Sequence, residues 1–146
     1  MCGIVGFKAI HSEANKYSLQ LESAIKTLNL RGPDQNATYF HNQTGLGHAR
    51  LSILDLSEAG KQPMSDPTER YTIIFNGEVY NFKSIAKELQ SKGLDFHSGT
   101  DTEVLLQAYI HFGKECVKMF NGFFAFAIYD KEKESVVLDR VLHSSI

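Results

Sequence analysis

Tryptophan is absent from the 146-residue chain, so any aromatic core has to come from 10 phenylalanines and 6 tyrosines. Two cysteines are too few for a disulfide framework, and a chain with 42% hydrophobic residues is large enough to fold without one. Both are expected as free thiols in a reducing compartment, with the cytoplasm as the expected location. Three prolines, no repeat and no low-complexity stretch leave no linker at which to divide the chain, and one domain is expected. No run approaches the ~20 apolar residues that span a bilayer, and the N-terminus lacks the positive-then-apolar order of a secretion signal. The net charge is −2 with lysines and arginines scattered, so the concentrated basic surface that attracts nucleic acid or an anionic membrane is missing. The histidines, His11, His41, His48, His97, His111 and His143, include no pair at the i,i+4 spacing of a helical zinc site, and no metal is assigned.

What is present begins at Met1-Cys2-Gly3-Ile4-Val5-Gly6. If the initiator methionine is removed, Cys2 carries a thiol and a free α-amino group on one residue. An ordinary thiol (pKa ~8.5) is a few per cent ionised at neutral pH, and an α-amine (pKa ~7.7) is suited to take its proton and return it. Cys2 is therefore a candidate nucleophile with its own base. Retention of Met1 would turn the amine into an amide and remove that base.

Apolar segments predict strands over 3–9, 37–41, 45–53, 71–75 and 123–129, bounded by glycine, proline or small polar residues. The last of these is apolar on both faces, as a central strand would be. Leu21, Ala24, Ile25 and Leu28 predict a helix over 17–29. A second helix follows Asn81 as N-cap, with Ile85, Ala86 and Leu89 inward. Thr100-Asp101-Thr102-Glu103 reads as a capping box opening a third helix that stops at Gly113. Cys116 is expected to be a buried structural thiol. The sum is an α+β layered domain.

Arg50 ends a glycine-rich strand, where its planar fork can clamp a carboxylate; pairing with an acidic neighbour at the surface is the plainer alternative. Asn76-Gly77 is by default a tight hairpin turn. The same two residues also suit an oxyanion hole, with the Asn76 amide and the Gly77 N–H as donors. Glu78 and Asp101 can bind a substrate ammonium, although an aspartate at a helix start is also favoured by the dipole alone. Arg31-Gly32-Pro33-Asp34 reads as a loop near the site, held by an internal salt bridge. A thiol, a base, oxyanion donors, a carboxylate clamp and an ammonium binder together describe a site for hydrolysing the side-chain amide of a free amino acid such as glutamine.

In combination, Met1-Cys2-Gly3-Ile4, Arg31-Gly32-Pro33-Asp34, Gly47-His48-Ala49-Arg50-Leu51-Ser52-Ile53, Gln62-Pro63-Met64, Phe75-Asn76-Gly77-Glu78-Val79-Tyr80-Asn81 and Thr100-Asp101-Thr102-Glu103-Val104 resemble, in order, the glutaminase domain of class II, N-terminal-nucleophile glutamine amidotransferases. The asparagine synthetase branch is the nearer likeness. The resemblance implies a four-layer αββα sandwich and a type 2 amidotransferase domain over 2–146, matching the family over about 1–130 with a divergent or truncated tail at 131–146. It implies L-glutamine as substrate, Cys2 as nucleophile, and Asn76 and Gly77 as oxyanion donors. Arg50 would hold the α-carboxylate, Glu78 and Asp101 would lie near the α-amino group, and the backbone of Leu51, Ser52 and Ile53 would line the pocket. No cofactor is implied; ATP and magnesium would belong to a synthetase domain that this sequence lacks. A separate synthetase domain or subunit is the implied acceptor of ammonia. A sandwich incomplete at the C-terminus is expected to expose a sheet edge and to self-associate. The competing reading is a non-catalytic glutamine-binding or assembly module, or an inactive truncated fragment; a cysteine-peptidase-like hydrolase would share the nucleophile but not the need for an arginine clamp with paired carboxylates.

Overall fold

A computed structural model describes residues 2–51 and 58–141, with Glu58 described in its backbone only. Ten elements carry the fold: β1 (Gly3–Lys8), α1 (Ser18–Lys26), β2 (Gln35–His41), β3 (Thr44–Arg50), β4 (Met64–Ser65), β5 (Tyr71–Val79), α2 (Phe82–Ser91), α3 (Asp101–Phe112), β6 (Gly122–Asp130) and β7 (Ser135–Val141). Short 3-10 turns at Ala14–Tyr17 and Gly113–Met119 adjoin α1 and α3. The strands form two antiparallel sheets, ordered β1-β3-β2 and β4-β5-β6-β7.

Alternation along the strands assigns each face to a layer. In β3, Ala49 joins Leu21 and Ile25 of α1, together with Val5, Phe7, Leu28 and Phe40. Gly47 lies on that same face, where a Cβ would come within 2.6 Å of Ile25, so glycine is what lets α1 rest on the sheet. The other face of β3 carries Leu46, which packs with Ile74, Ala127 and Tyr129 of the second sheet and with Ile4, Tyr39 and Val136. The far face of the second sheet, with Ile73, Phe75, Phe124, Phe126 and Ile128, buries Ile85 and Leu89 of α2 and Val104, Leu105 and Ala108 of α3. The order of layers is α1, sheet, sheet, α2 with α3: an αββα sandwich. β6 is central in its sheet, as its apolar faces predict. At one end of the sandwich the sheets are tied by a hydrogen bond between Tyr129 and His41 Nδ1 (2.8 Å) and by Lys8 Nζ donating to the Glu134 carbonyl (2.6 Å).

Four local expectations are corrected. Asn76-Gly77 makes no turn: β5 runs straight through it, pairing Asn76 with Ala125 and Gly77 with Phe124. Asn81 precedes α2 without capping it, because its side chain instead donates to the Met119 carbonyl (2.8 Å) and accepts from Asn121 N–H (2.9 Å). Only half of the capping box forms. Thr100 Oγ1 accepts from Glu103 N–H (3.3 Å), whereas the Glu103 carboxylate reaches further back, to the N–H groups of His97 (2.8 Å) and Ser98 (2.6 Å). The first helix is shorter than its apolar pattern, since the chain enters it through the 3-10 turn and leaves at Thr27. The segment 135–141, unassigned from sequence, is β7.

Candidate active site

Cys2 stands immediately before β1. Its thiol accepts a hydrogen bond from Leu51 N–H (3.3 Å) and lies 3.6 Å from the Leu51 carbonyl oxygen, which fixes Sγ at the end of β3. Arg31 Nε donates to the Cys2 carbonyl (3.4 Å), so the Arg31–Asp34 loop does pack against this corner. Because β1 and β3 pair with Gly3 opposite Ala49, Cys2 and Arg50 leave their strands at the same end. Both share the parity of Ile4 and Leu46, whose side chains enter the space between the sheets.

Arg50 is 6% exposed, and among its contacts Nη1 donates to Gln35 Oε1 on β2 (3.5 Å). A guanidinium buried this far is not a solvated surface charge. Leu51 follows, half-buried; Ser52 and Ile53 lie outside the described residues.

The second sheet brings Asn76 to the same end. His48, two residues before Arg50 on the same face of β3, bonds through Nε2 to the Phe75 carbonyl (3.2 Å), so Arg50 and Asn76 are each one short step from that contact. Carbonyl oxygens only accept, hence Nε2 carries the proton. Burial pushes the His48 pKa down to about 4, with the Arg50 charge adding to the effect against the Phe75 bond, so the ring is neutral at physiological pH. Asn76 Oδ1 is buried without a hydrogen-bond partner, the one such side-chain atom among the described residues. Gly77 has φ +145°, a conformation other residues rarely adopt, and a Cβ there would stand 2.0 Å from the Phe123 carbonyl oxygen.

Glu78 is exposed, on the same face of β5 as Asn76. Asp101, the first residue of α3, is buried and accepts from Val79 N–H through Oδ2 (2.9 Å). Burial raises its carboxyl pKa above the ordinary value and the Glu78 charge pushes the same way, against backbone hydrogen bonds that favour the carboxylate. The fold thus gathers Cys2, Arg50, Leu51, Asn76 and Gly77 at one end of the sandwich, with Glu78 and Asp101 at the adjoining end of β5.

Sequence reasoning gave no role to His48 or Gln62. Gln62 Oε1 accepts from Phe75 N–H (2.6 Å), and its Nε2 donates to Thr102 Oγ1 of α3 (3.1 Å). The available signal for His48 was its place two residues before Arg50 on a strand; for Gln62 it was only membership of the family-like Gln62-Pro63-Met64 segment, which says nothing of what the side chain touches. A separate apolar cleft of about 360 Å3, walled by Val5, Phe7, Tyr17, Leu21 and Ala24, lies between β1 and α1, on the other face of that sheet. Among the described residues no group of three or more His, Cys, Asp or Glu is placed to hold a metal ion, and no helix is long and apolar enough to cross a membrane.

Comparison with known proteins bears on this arrangement. The model of the glutamine amidotransferase domain family matches residues 1–141. Asparagine synthetase [glutamine-hydrolyzing] 1 of Bacillus subtilis is 44% identical over 136 residues, which cover 90% of this chain and 21% of that protein. Asparagine synthetase [glutamine-hydrolyzing] 3 of the same organism is 38% identical over 135 residues, covering 91% of this chain and 22% of its own. Asparagine synthetase B of Escherichia coli is 34% identical over 140 residues, covering 96% and 25%. The chain therefore spans about a fifth to a quarter of the length of these relatives. Among solved structures, glutamine phosphoribosylpyrophosphate amidotransferase from B. subtilis superposes with a TM-score of 0.54 at 23% identity, over 68% of this chain and 24% of that one, a likeness in fold. With an αββα sandwich, a cysteine at the head of its first strand and a family match along nearly its whole length, the chain belongs to the glutamine amidotransferase domain family.

Proposed function

We propose that this chain hydrolyses L-glutamine to glutamate and ammonia, acting as the glutaminase half of an amidotransferase. The observation that carries the reading is the location of the Cys2 thiol against Leu51 at the end of β3, beside Arg50 and across the sandwich from Asn76-Gly77. After removal of Met1, the Cys2 thiol attacks the glutamine side-chain carbonyl and its proton passes to the Cys2 α-amine. The developing oxyanion takes hydrogen bonds from Asn76 Nδ2 and Gly77 N–H. Collapse expels ammonia, which leaves with the proton held by the amine, and a γ-glutamyl thioester remains. Water, deprotonated by the same amine, releases glutamate and regenerates the thiol. Arg50 holds the α-carboxylate and Asp101 with Glu78 the α-ammonium; the backbone of Leu51, Ser52 and Ile53 lines the pocket. The unpartnered Asn76 Oδ1 supports the assignment, because a polar atom left unsatisfied in the interior is costly unless a donor from substrate or the free α-amine completes it.

The reaction proposed needs no cofactor. The relatives' names make a synthetase the natural recipient of the ammonia, in a cytoplasmic assembly where ATP and magnesium would serve that partner. The test is intact mass of the purified chain before and after a diazo-ketone analogue of glutamine. A mass lacking methionine, one adduct mapping to Cys2, and loss of adduct and turnover in Cys2→Ala are expected. Retained Met1, or no adduct, rejects turnover and leaves a glutamine-binding module.

A further inference from the structure

Among the described residues, no strand pairs with β5 past the Met64–Ile73 rung, on the side away from β6 and towards Phe75. The odd-numbered residues of β5 send their peptide groups to that side. Tyr71 exchanges bonds there with Asp66 (3.0 and 2.7 Å), Ile73 lies opposite Met64, and Val79 N–H reaches Asp101. Phe75 falls where the ladder has stopped, and two side chains stand in for the absent strand. Its N–H donates to Gln62 Oε1 at 2.6 Å and its C=O accepts from His48 Nε2 at 3.2 Å. Both side chains are buried, Gln62 at 8% exposure and His48 at 1%, and Gln62 is anchored in turn on Thr102.

We propose that Gln62 and His48 are positioning residues for the amide donors of Asn76 and Gly77. The inference rests on reading those donors as the oxyanion hole. The Phe75 carbonyl and the Asn76 N–H belong to one planar peptide, so gripping the carbonyl fixes the plane from which the Asn76 side chain and the Gly77 N–H project. A β-ladder normally supplies that grip on both edges of a strand; here the open edge, which a substrate needs, is held one residue upstream by side chains. His48 serves as a neutral donor from the opposite sheet, so it also sets the distance between the strand bearing Asn76 and the strand bearing Arg50.

The experiment compares the full-length wild type with His48→Leu, His48→Gln and Gln62→Met. A glutamine side chain at 48 can still donate to the carbonyl; leucine cannot, and methionine at 62 neither accepts nor donates usefully. His48→Leu and Gln62→Met are each expected to lower kcat for glutamine by about 10- to 100-fold, with KM within about threefold and recovery in His48→Gln. Alkylation of Cys2 by iodoacetamide, a displacement that develops no oxyanion, should keep its wild-type rate in all of them. The proposal is overturned if both deletion variants keep their kcat, or if iodoacetamide reactivity falls in step with it. Absence of glutamine turnover in the wild type instead defeats the glutaminase reading. Positioning is then judged from the Asn76 and Gly77 amide resonances: movement in His48→Leu and Gln62→Met with return in His48→Gln supports it, and resonances that stay in place reject it.

Discussion

A methyl group on Gly77 would stand 2.0 Å from the Phe123 carbonyl oxygen, in a residue whose φ of +145° already disfavours any side chain. Phe123 lies on the neighbouring central strand, so the clash has no flexible side chain to absorb it. Gly77→Ala is predicted to cost about 2 kcal/mol or more of stability, measured by urea unfolding, and to abolish turnover. Arg50 makes a different prediction. Its guanidinium is held by β2 through Gln35, so in the proposed role it would meet the substrate carboxylate preorganised. Arg50→Lys and Arg50→Ala should raise KM for glutamine by about 10- to 100-fold with a smaller change in kcat, because the contact exists before the chemistry begins. Steady-state kinetics of both variants check this; an unchanged KM would remove Arg50 from the substrate.

At the scale of elements, the third helix shows how far local sequence reaches. Its start at Asp101 and its stop at Gly113, φ +64°, were legible because capping chemistry is local. What Glu103 does was not, since its carboxylate gathers the backbone N–H groups of His97 and Ser98 and the Ser98 hydroxyl, a loop whose path no local rule fixes. Thr100→Ala, which removes the 3.3 Å cap bond and a 2.9 Å bond with the Ser98 hydroxyl, is predicted to cost about 1 kcal/mol. Glu103→Ala should cost more, about 2–3 kcal/mol, because three donors lose a buried acceptor and the loop that leads into Asp101 loosens. Chemical denaturation of the two variants gives the order directly. The same limit explains Asn76-Gly77. As a dipeptide it favours a hairpin, but pairing with Ala125 and Phe124 across a central strand overrides that preference. Cys2 and Arg50 stood out as chemical types in the sequence, whereas His48 and Gln62 matter through a single peptide of another strand, and only the tertiary fold supplies that neighbour.

For the whole molecule, a layered domain of sheets with helices outside was legible from the strand and helix patterns and the two-sheet core from the family resemblance, while the register that places His48 between the sheets was not. That register makes the sandwich sensitive to acid. His48 has a folded pKa of about 4 against an ordinary 6.5, so the unfolded chain binds its proton first as pH falls. The stabilisation is therefore complete above about pH 6.5 and is lost progressively down to about pH 4. The full shift is worth about 3 kcal/mol, at ~1.4 kcal/mol per unit. Asp101 acts in the opposite sense: its raised pKa means that ionisation costs stability as pH rises through the carboxylate range, so acid relieves it. Asp130, lowered chiefly by its hydrogen bond to Arg70, gives up its stabilisation only below the ordinary carboxylate value. Between pH 7 and pH 5 the histidine dominates these three, and the wild type should lose about 2 kcal/mol in urea unfolding. His48→Gln, which keeps a donor to Phe75 but cannot titrate, should lose far less over the same interval. A wild-type midpoint that does not move, or a variant that moves as much, would mean that the sheets do not hold this imidazole in its neutral form.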